Sequence, residues 1–504
     1  MKNLSTLLAA AIFALFYAQL SAQSFNGYAI YNLQNQNTSY LIDKDGNIAH
    51  SWSCTVPCNY SVKLKENGNI VRGGVYSGNV LNGAAVGGMI QELDPSGNVV
   101  WEFVYSDASH CSHHDFTILP NGNVVLTAWE VKSVSELTQA GLSNATTSKW
   151  PTHFVEVQQN GTSGQIVWEW HMWDHMIQDF DAAKDNYGVV ADHPELMDIN
   201  AVTSGGGGGP GGASGDWFHV NGIDYNPALD QLVFSTRYGS EFLVIDHSTT
   251  TAEAASHSGG NSGRGGDFLY RWGNASNYGA SGQIIPAAVH DPRWIKDGRP
   301  NAGYIQFFNN SGGSGGGSVV DAINPPIAGV NYTLTGNAYG PSAYDWRHVC
   351  LASSSGQSAH DRMSNGNTFV NVSNAYMYEV DANNNVVWQY NAGPTKAFRY
   401  ECDYAGLEPL LGSDPCGLLS LTEENRANVK FYPNPSNDGW FKLEGIDISA
   451  SEVNINVVNA LGQSVLTTGN TDLINLSNAP NGVYFVTLVF NGEQSVTRKI
   501  SLLR

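Results

Sequence analysis

Residues 114–126 read HDFTILPNGNVVL: a His-Asp pair, a short β-forming run, an Asn-Gly turn and a second β-forming run. An Asn-Gly step between such runs is a strong hairpin signal, because both residues tolerate the left-handed backbone that a tight hairpin needs. The same order recurs at 290–298 (HDPRWIKDG) and at 360–370 (HDRMSNGNTFV). A variant, HVNGID at 219–224, precedes Tyr225-Asn226-Pro227 and a β-run over 231–235. The stretch from Tyr60 to Asn67-Gly68-Asn69 carries the turn without the histidine. Such a unit cannot bury its faces alone, so its recurrence predicts an all-β fold of stacked four-stranded blades, a β-propeller. The copies lie about 70 to 105 residues apart, which places insertions in some blades. Corresponding positions of successive blades meet around one axis. One His-Asp pair alone reads as a structural hydrogen bond, but His114, His219, His290 and His360 at matched positions point to one shared site.

A second signature is a polar turn and a β-run ending in tryptophan: Asp94–Asn98 to Trp101, Asn160-Gly161 to Trp168, and Asp381–Asn385 to Trp388. Asp43–Asn47 running to Trp52 is a looser copy; it resembles a calcium loop but no later glutamate completes one, so a plain turn is expected. With 55 Gly, 23 Tyr, 13 Trp and only 14% charged residues, the composition agrees with a β-rich body. A net charge of −21 argues against nucleic acid or an anionic membrane as partner. The glycine-rich stretches 205–212 and 311–318 read as loops beside the site, able to alter access to it. Six cysteines allow up to three disulfides, with Cys54–Cys58 and Cys402–Cys416 as short local loops. Cys54, Cys58, Cys111 and His113 do not match zinc-finger spacing, and no metal or cofactor is expected.

The ends carry their own signals. Met1-Lys2-Asn3, the apolar run LLAAAIFALFYAQL over 7–20 and the small triplet Leu20-Ser21-Ala22 read as a signal peptide over 1–22. The run is short for a span of ~20 residues, and no later segment is apolar and long enough to cross a bilayer. Residues 23–415 are read as the propeller, 416–429 as a linker and 430–504 as a small β-sandwich. This tail resembles the type A C-terminal sorting domain of type IX secretion cargo. The resemblance rests on Tyr432-Pro433-Asn434-Pro435, the Asn459-Ala460-Leu461-Gly462 turn, Leu476 to Tyr484 and the basic pair Arg498-Lys499. It implies the type IX machinery as partner, passage through periplasm and outer membrane, and a secreted or cell-surface location.

The body, over roughly 25–395, resembles the aryl-sulfate sulfotransferase family. The carriers are WEWHMWDH at 168–175, FHVNGIDY at 218–225, Ser235-Thr236-Arg237 with Ser240-Glu241 and Ile245-Asp246, and His290-Asp291 ahead of Phe307-Phe308-Asn309. The resemblance implies six blades, an aryl sulfate donor and a phenolic acceptor, with transfer through a sulfohistidine and no nucleotide. It places His290 as the nucleophile, His114 as a further catalytic histidine that protonates the leaving phenolate and later deprotonates the acceptor, and His219, Asn221 and Arg237 around the sulfuryl group. His360 joins them as a substrate-binding residue through the repeat. The residue types suit the chemistry: neutral imidazole is both a nucleophile and a leaving group near pH 7, and arginine offers a fixed fork of donors to developing charge. Tyr238 and Trp217 flank matched positions, whereas His171 and His175 read as structural. Two other classes stay open on the residues. One is a non-catalytic secreted propeller that binds glycan or a surface partner. The other is a quinone-dependent dehydrogenase, which needs a calcium site with paired acids that the sequence does not show.

Overall fold

The computed structural model describes residues 24–202, 215–282, 284–416, 429–445, 453–490 and 494–504. The expected signal peptide, the stretch 205–212 and nearly all of the expected linker lie outside them. Among the described residues, the body from Gly27 to Glu401 contains six four-stranded antiparallel sheets. Their inner strands are Cys58–Leu64, His110–Ile118, Val220–Asn226, Val289–Trp294, Ala359–Arg362 and Ala397–Glu401. Each inner strand packs on the next, and the last packs on the first, so the strands ring a common axis as in a β-propeller. The ring closes between the two ends of the body: Ala397–Glu401 pairs with Gly27–Asn32, setting Arg399 opposite Ala29 and Phe398 opposite Ile30.

Apolar faces of adjacent sheets form the core. Val71, Ile90 and Trp101 meet Phe116, Leu126 and Val155 of the following sheet, and Phe308 and Val320 meet Val370 and Tyr378 of the sheet that follows theirs. The tryptophan signature acquires a physical reason here. Three of these indoles sit on outer strands and donate N–H to the next sheet: Trp52 to the Asp94 carbonyl (3.0 Å), Trp101 to the Ser163 carbonyl (2.8 Å) and Trp168 to the Thr249 hydroxyl (3.2 Å). Each ring fills the seam while its one polar atom is satisfied across it. The polar turns that precede the tryptophans are closed by aspartate. One Asp43 carboxylate oxygen accepts the amides of Asp45 and Asn47, and Asp94 and Asp381 repeat the arrangement. The calcium-like loop is therefore an Asx-type turn.

Cys402 and Cys416 form a disulfide just beyond the closing strand. The Cys54–Cys58 pairing is not formed, a correction to the sequence reading. Each thiol instead packs into a different neighbourhood: Cys54 faces the Trp52 carbonyl and Ser39, whereas Cys58, opening an inner strand, receives the Asn32 amide. Among the described residues, the tail forms a pair of sheets, one of three strands and one of four, around Phe441, Ile455, Val457, Ile474, Val486 and Ile500. This is the expected sandwich.

Because Trp101 is 1% exposed and spans two sheets, Trp101→Ala is expected to lower stability by about 3–5 kcal/mol. Trp101→Phe, which keeps most of the packing and loses the indole donor, should lose distinctly less; urea denaturation of the two variants checks this.

Candidate active site

Four of the inner strands break register near their N-terminal ends. The breaks fall between Cys58 and Val62, Ser112 and Phe116, Val220 and Ile223, and His290 and Arg293. Such bulges re-aim side chains. Two of the predicted histidines sit at or beside these breaks with left-handed backbones, His114 at φ 48° and His219 at φ 52°, and Asp291, which follows His290, has φ 53°. For non-glycine residues this conformation is strained and persists only where surrounding contacts fix it. Gly222 lets the bulges approach each other, since a Cβ there would lie 2.8 Å from the Asp291 amide nitrogen.

The bulges bring three of the predicted histidines together. The rings of His114 and His219 lie 4.7 Å apart at a steep angle, and the His219 ring lies 5.1 Å from that of Tyr238. His290 is 2% exposed, and its Nδ1 faces two acceptors, the Ala288 carbonyl (2.8 Å) and Asn310 Oδ1 (2.7 Å). The orientation of the Asn310 amide is fixed by its nitrogen, which donates to the Ser354 and Gln357 carbonyls. Nδ1 of His290 therefore carries the proton, and Nε2 keeps its lone pair. Burial, helped by His219 and Arg237, pushes the His290 imidazole down to about 3, so it is neutral throughout the physiological range. Burial likewise lowers His114, with His219, His113 and His290 adding to the effect.

His219 is held differently. Its Nδ1 lies 2.5 Å from Asp216 Oδ2, and the other Asp216 oxygen accepts the Trp129 indole N–H at 3.1 Å. The result is an imidazole oriented by a buried, anchored carboxylate. Arg237 donates from Nη2 to the Ser355 carbonyl at 3.1 Å. Gly356, the next residue, runs past His290: a Cβ built there would sit 3.9 Å from Nε2. The segment from Ser353 to Gln357 thus borders both His290 Nε2 and the Arg237 guanidinium.

Asn221 also lies here, but both polar ends of its side chain are used internally. Its nitrogen donates to the Val289 carbonyl (3.1 Å) and its oxygen accepts from Ser235 (2.5 Å), so it ties the His219 strand to the His290 strand. Trp217 is packing, with its indole on the Val202 carbonyl. His171 meets Glu130 and stacks on His153, outside this cluster.

His360 is not brought to the other three. Its strand keeps regular register with Thr368–Val372, and without a bulge its ring points toward the other end of the inner strands. There Nε2 donates to the Asp291 carbonyl (2.7 Å) and Nδ1 meets Gln306 Oε1 (3.2 Å), leaving neither nitrogen free. His360 lines a cavity of about 680 Å³ with Lys63, Arg293, Trp294, Phe398 and Tyr400. The imidazole cluster of His114, His219 and His290 lies apart from this cavity, whose lining includes none of the three.

Between cavity and cluster lies an ionic plug that sequence reasoning missed. Lys396 Nζ is 2.6 Å from Asp115 and 2.7 Å from Asp291, all three buried. Burial alone would lower the Lys396 ammonium, and the two carboxylates more than offset it. Asp115 also accepts from the Ser61 hydroxyl and the Ile223 amide, and Asp291 accepts from the His360 amide, so each carboxylate joins adjacent inner strands. Tyr60 was missed too. It occupies the histidine-free repeat, lies edge-on to His114 at 5.2 Å, and has a buried hydroxyl with no partner among the described residues. Its place in the repeat was the available signal.

A family model described as Arylsulfotransferase (ASST) matches residues 16–319, more than half of the chain. One described as Secretion system C-terminal sorting domain matches residues 430–502. His114, His219, Asn221, Arg237 and His290 fall inside the first match; His360 and Lys396 lie beyond it. No curated protein matches the chain. Among solved structures, a protein of unknown function from Bacteroides caccae is similar at 11% identity and a TM-score of 0.40, over 74% of this chain and 98% of that one. The periplasmic gluconolactonase of Pseudomonas aeruginosa is similar at 10% and 0.38, over 95% and 99%.

Two outcomes follow from this geometry. Lys396→Met leaves the buried Asp115 without its ammonium and Asp291 with Arg293, 3.1 Å away, as its remaining ion pair; it is expected to cost about 3–5 kcal/mol, whereas adding Asp115→Asn to it should recover part of the loss in the same denaturation assay. The second concerns pH. His113 and His290 are pushed down to about 3 and His360 to about 4, in each case chiefly by burial. Below an ordinary histidine value of about 6.5 the unfolded chain takes up protons that the native chain refuses, so stability is full above that point and falls as pH drops toward 4. Urea midpoints measured from pH 7.5 to pH 4.5 should decline, and the decline should be shallower in His113→Gln.

Proposed function

The chain belongs to the arylsulfotransferase family, and we propose that it moves a sulfuryl group from an aryl sulfate to a phenolic acceptor through a sulfohistidine on His290. Its C-terminal sorting domain marks it as type IX secretion cargo, bound for the cell surface or beyond. The observation that carries the reading is the free Nε2 of His290, kept neutral and set beside His114, His219 and Arg237.

In the first half-reaction the Nε2 lone pair attacks sulfur. The N–S bond forms as the S–O(aryl) bond breaks, and the electron pair leaves on the phenolate oxygen. Nδ1–H stays on the Ala288 carbonyl and Asn310, where it stabilises the charge that the ring acquires. Arg237 faces the sulfuryl oxygens with a permanent charge. His219 protonates the departing phenolate, and Asp216 stabilises the imidazolium form this needs. The second half-reaction reverses these steps: His219 takes the proton of the acceptor phenol, whose oxygen attacks sulfur, and the N–S electron pair returns to Nε2. His114, whose charged form burial disfavours, adds a hydrogen bond at the cluster. Asn221 acts as a positioning residue between the two strands, and the Tyr60 hydroxyl is a further donor to bound substrate.

His290→Asn should abolish transfer from a chromogenic aryl sulfate to phenol, and intact-mass analysis of the wild type after donor alone should show one added sulfuryl group. Undiminished turnover in His290→Asn would remove it as the nucleophile. Asp216→Asn should lower kcat by ~10²–10⁴ while leaving the sulfuryl adduct detectable.

A further inference from the structure

Away from the imidazole cluster, His175 closes the short turn that follows the outer strand Ser163–His171, and His257 and Asp267 lie in the loop after the helix Thr251–Ala254. Three ligand atoms meet there. Nδ1 of His175 and Nδ1 of His257 each lie 2.8 Å from the same Asp267 oxygen, and all three atoms fall within 4.8 Å of one another.

The hydrogen-bond accounting at His175 is incomplete without a further positive charge. Its Nε2 is 2.8 Å from the Ala254 carbonyl, which can only accept, so Nε2 carries the proton. In the neutral ring Nδ1 is then a lone pair, and it faces another lone pair on a carboxylate. The ring cannot turn to avoid this: it is fully buried, stacks on Trp170 at 5.6 Å and 6°, and has the Gly266 backbone pressed against it. A Cβ on Gly266 would lie 2.6 Å from Nε2. The loop is braced from the other side by the Trp170 indole on the Gly266 carbonyl and by the Gly266 amide on Ser256.

We propose that His175, His257 and Asp267 bind a divalent transition-metal ion, Zn²⁺ first among them. Two imidazole nitrogens and one carboxylate oxygen favour zinc, copper, nickel or cobalt over calcium or magnesium, which take oxygen. A ligating histidine whose other N–H is held by a backbone carbonyl is the usual outer-shell arrangement, and His175 has it. His257 is 63% exposed at its side chain, so the remaining coordination positions open to solvent. The ion would clamp the loop to the sheet next to the outer strand. It has no part in the sulfuryl chemistry. Residues 175, 257 and 267 are too far apart in the chain for ligand spacing to suggest them, which is why the sequence reading expected no metal.

The test uses the full chain, stripped with chelator and titrated with Zn²⁺ and, separately, Co²⁺. One equivalent of Zn²⁺ should be retained, the melting temperature should rise, and Co²⁺ should give a d–d absorption band. His257→Ala, at an exposed position, should leave the metal-free melting temperature unchanged and weaken uptake at least tenfold, with the Co²⁺ band lost. Equal uptake by wild type and His257→Ala would place any bound metal elsewhere and overturn the proposal. So would no retained metal together with ¹⁵N spectra showing both His175 nitrogens protonated, since a buried imidazolium–carboxylate pair then completes the accounting.

Discussion

One ammonium group fixes the centre of this molecule. Lys396 stands at the axis between Asp115 and Asp291, which follow two of the clustered histidines directly in sequence. It also immediately precedes Ala397–Glu401, the strand that closes the ring against Gly27–Asn32. Closure of the propeller and placement of His114 and His290 therefore depend on the same contact. A buried ion triad is weak as a source of net stability, because desolvation of three charges offsets most of their attraction. Its strength lies in discrimination: any arrangement that withdraws the lysine leaves the buried Asp115 without its ion pair and Asp291 dependent on Arg293. Asp115 and Asp291 convert that penalty into geometry by accepting from the neighbouring inner strands as well.

The His-Asp dipeptide works because its two residues part, the imidazole going to the cluster and the carboxylate to the buried lysine. On a regular strand successive side chains alternate across the faces of the sheet, and neither need point along the channel. The register breaks in the inner strands, together with the left-handed backbones at His114, His219 and Asp291, rotate the pair so that imidazole and carboxylate separate along it. His360-Asp361 is the control within the molecule. The same dipeptide on a strand without a bulge sends its histidine to the other end, where both ring nitrogens are consumed.

This contrast marks what was legible in the sequence. The repeats could be read because hairpin turns and β-runs are local, and the tryptophans because an indole on an outer strand, a few residues after the turn, meets the seam with the next sheet. The convergence of His114, His219 and His290 followed from matched positions in a ring. The departure of His360 did not, because a bulge leaves no residue type behind that distinguishes His360-Asp361 from His290-Asp291. Lys396 carried no signal either: its partners lie 281 and 105 residues away, and only the closed ring brings them near. Cys54 and Cys58 looked like a pair because they are close in sequence, whereas their thiols face different neighbours.

Burial is what joins the fold to the chemistry proposed for it. A sulfuryl-accepting imidazole must be unprotonated, and an exposed histidine would hold its proton for part of the time at mildly acidic pH outside the cell. Enclosing His290 removes that competition, and the Ala288 carbonyl and Asn310 then decide which nitrogen is left to react. The same enclosure makes each buried imidazole a liability in acid, since the unfolded chain gains protons that the native one cannot accept. The site can tolerate that liability because its carboxylates are anchored by a lysine and by an indole, partners that keep their protons as the pH falls. A secreted catalyst of this design depends on fixed donors to hold its framework and on neutral imidazoles for its reaction, with the division between them drawn by the bulges of the inner strands.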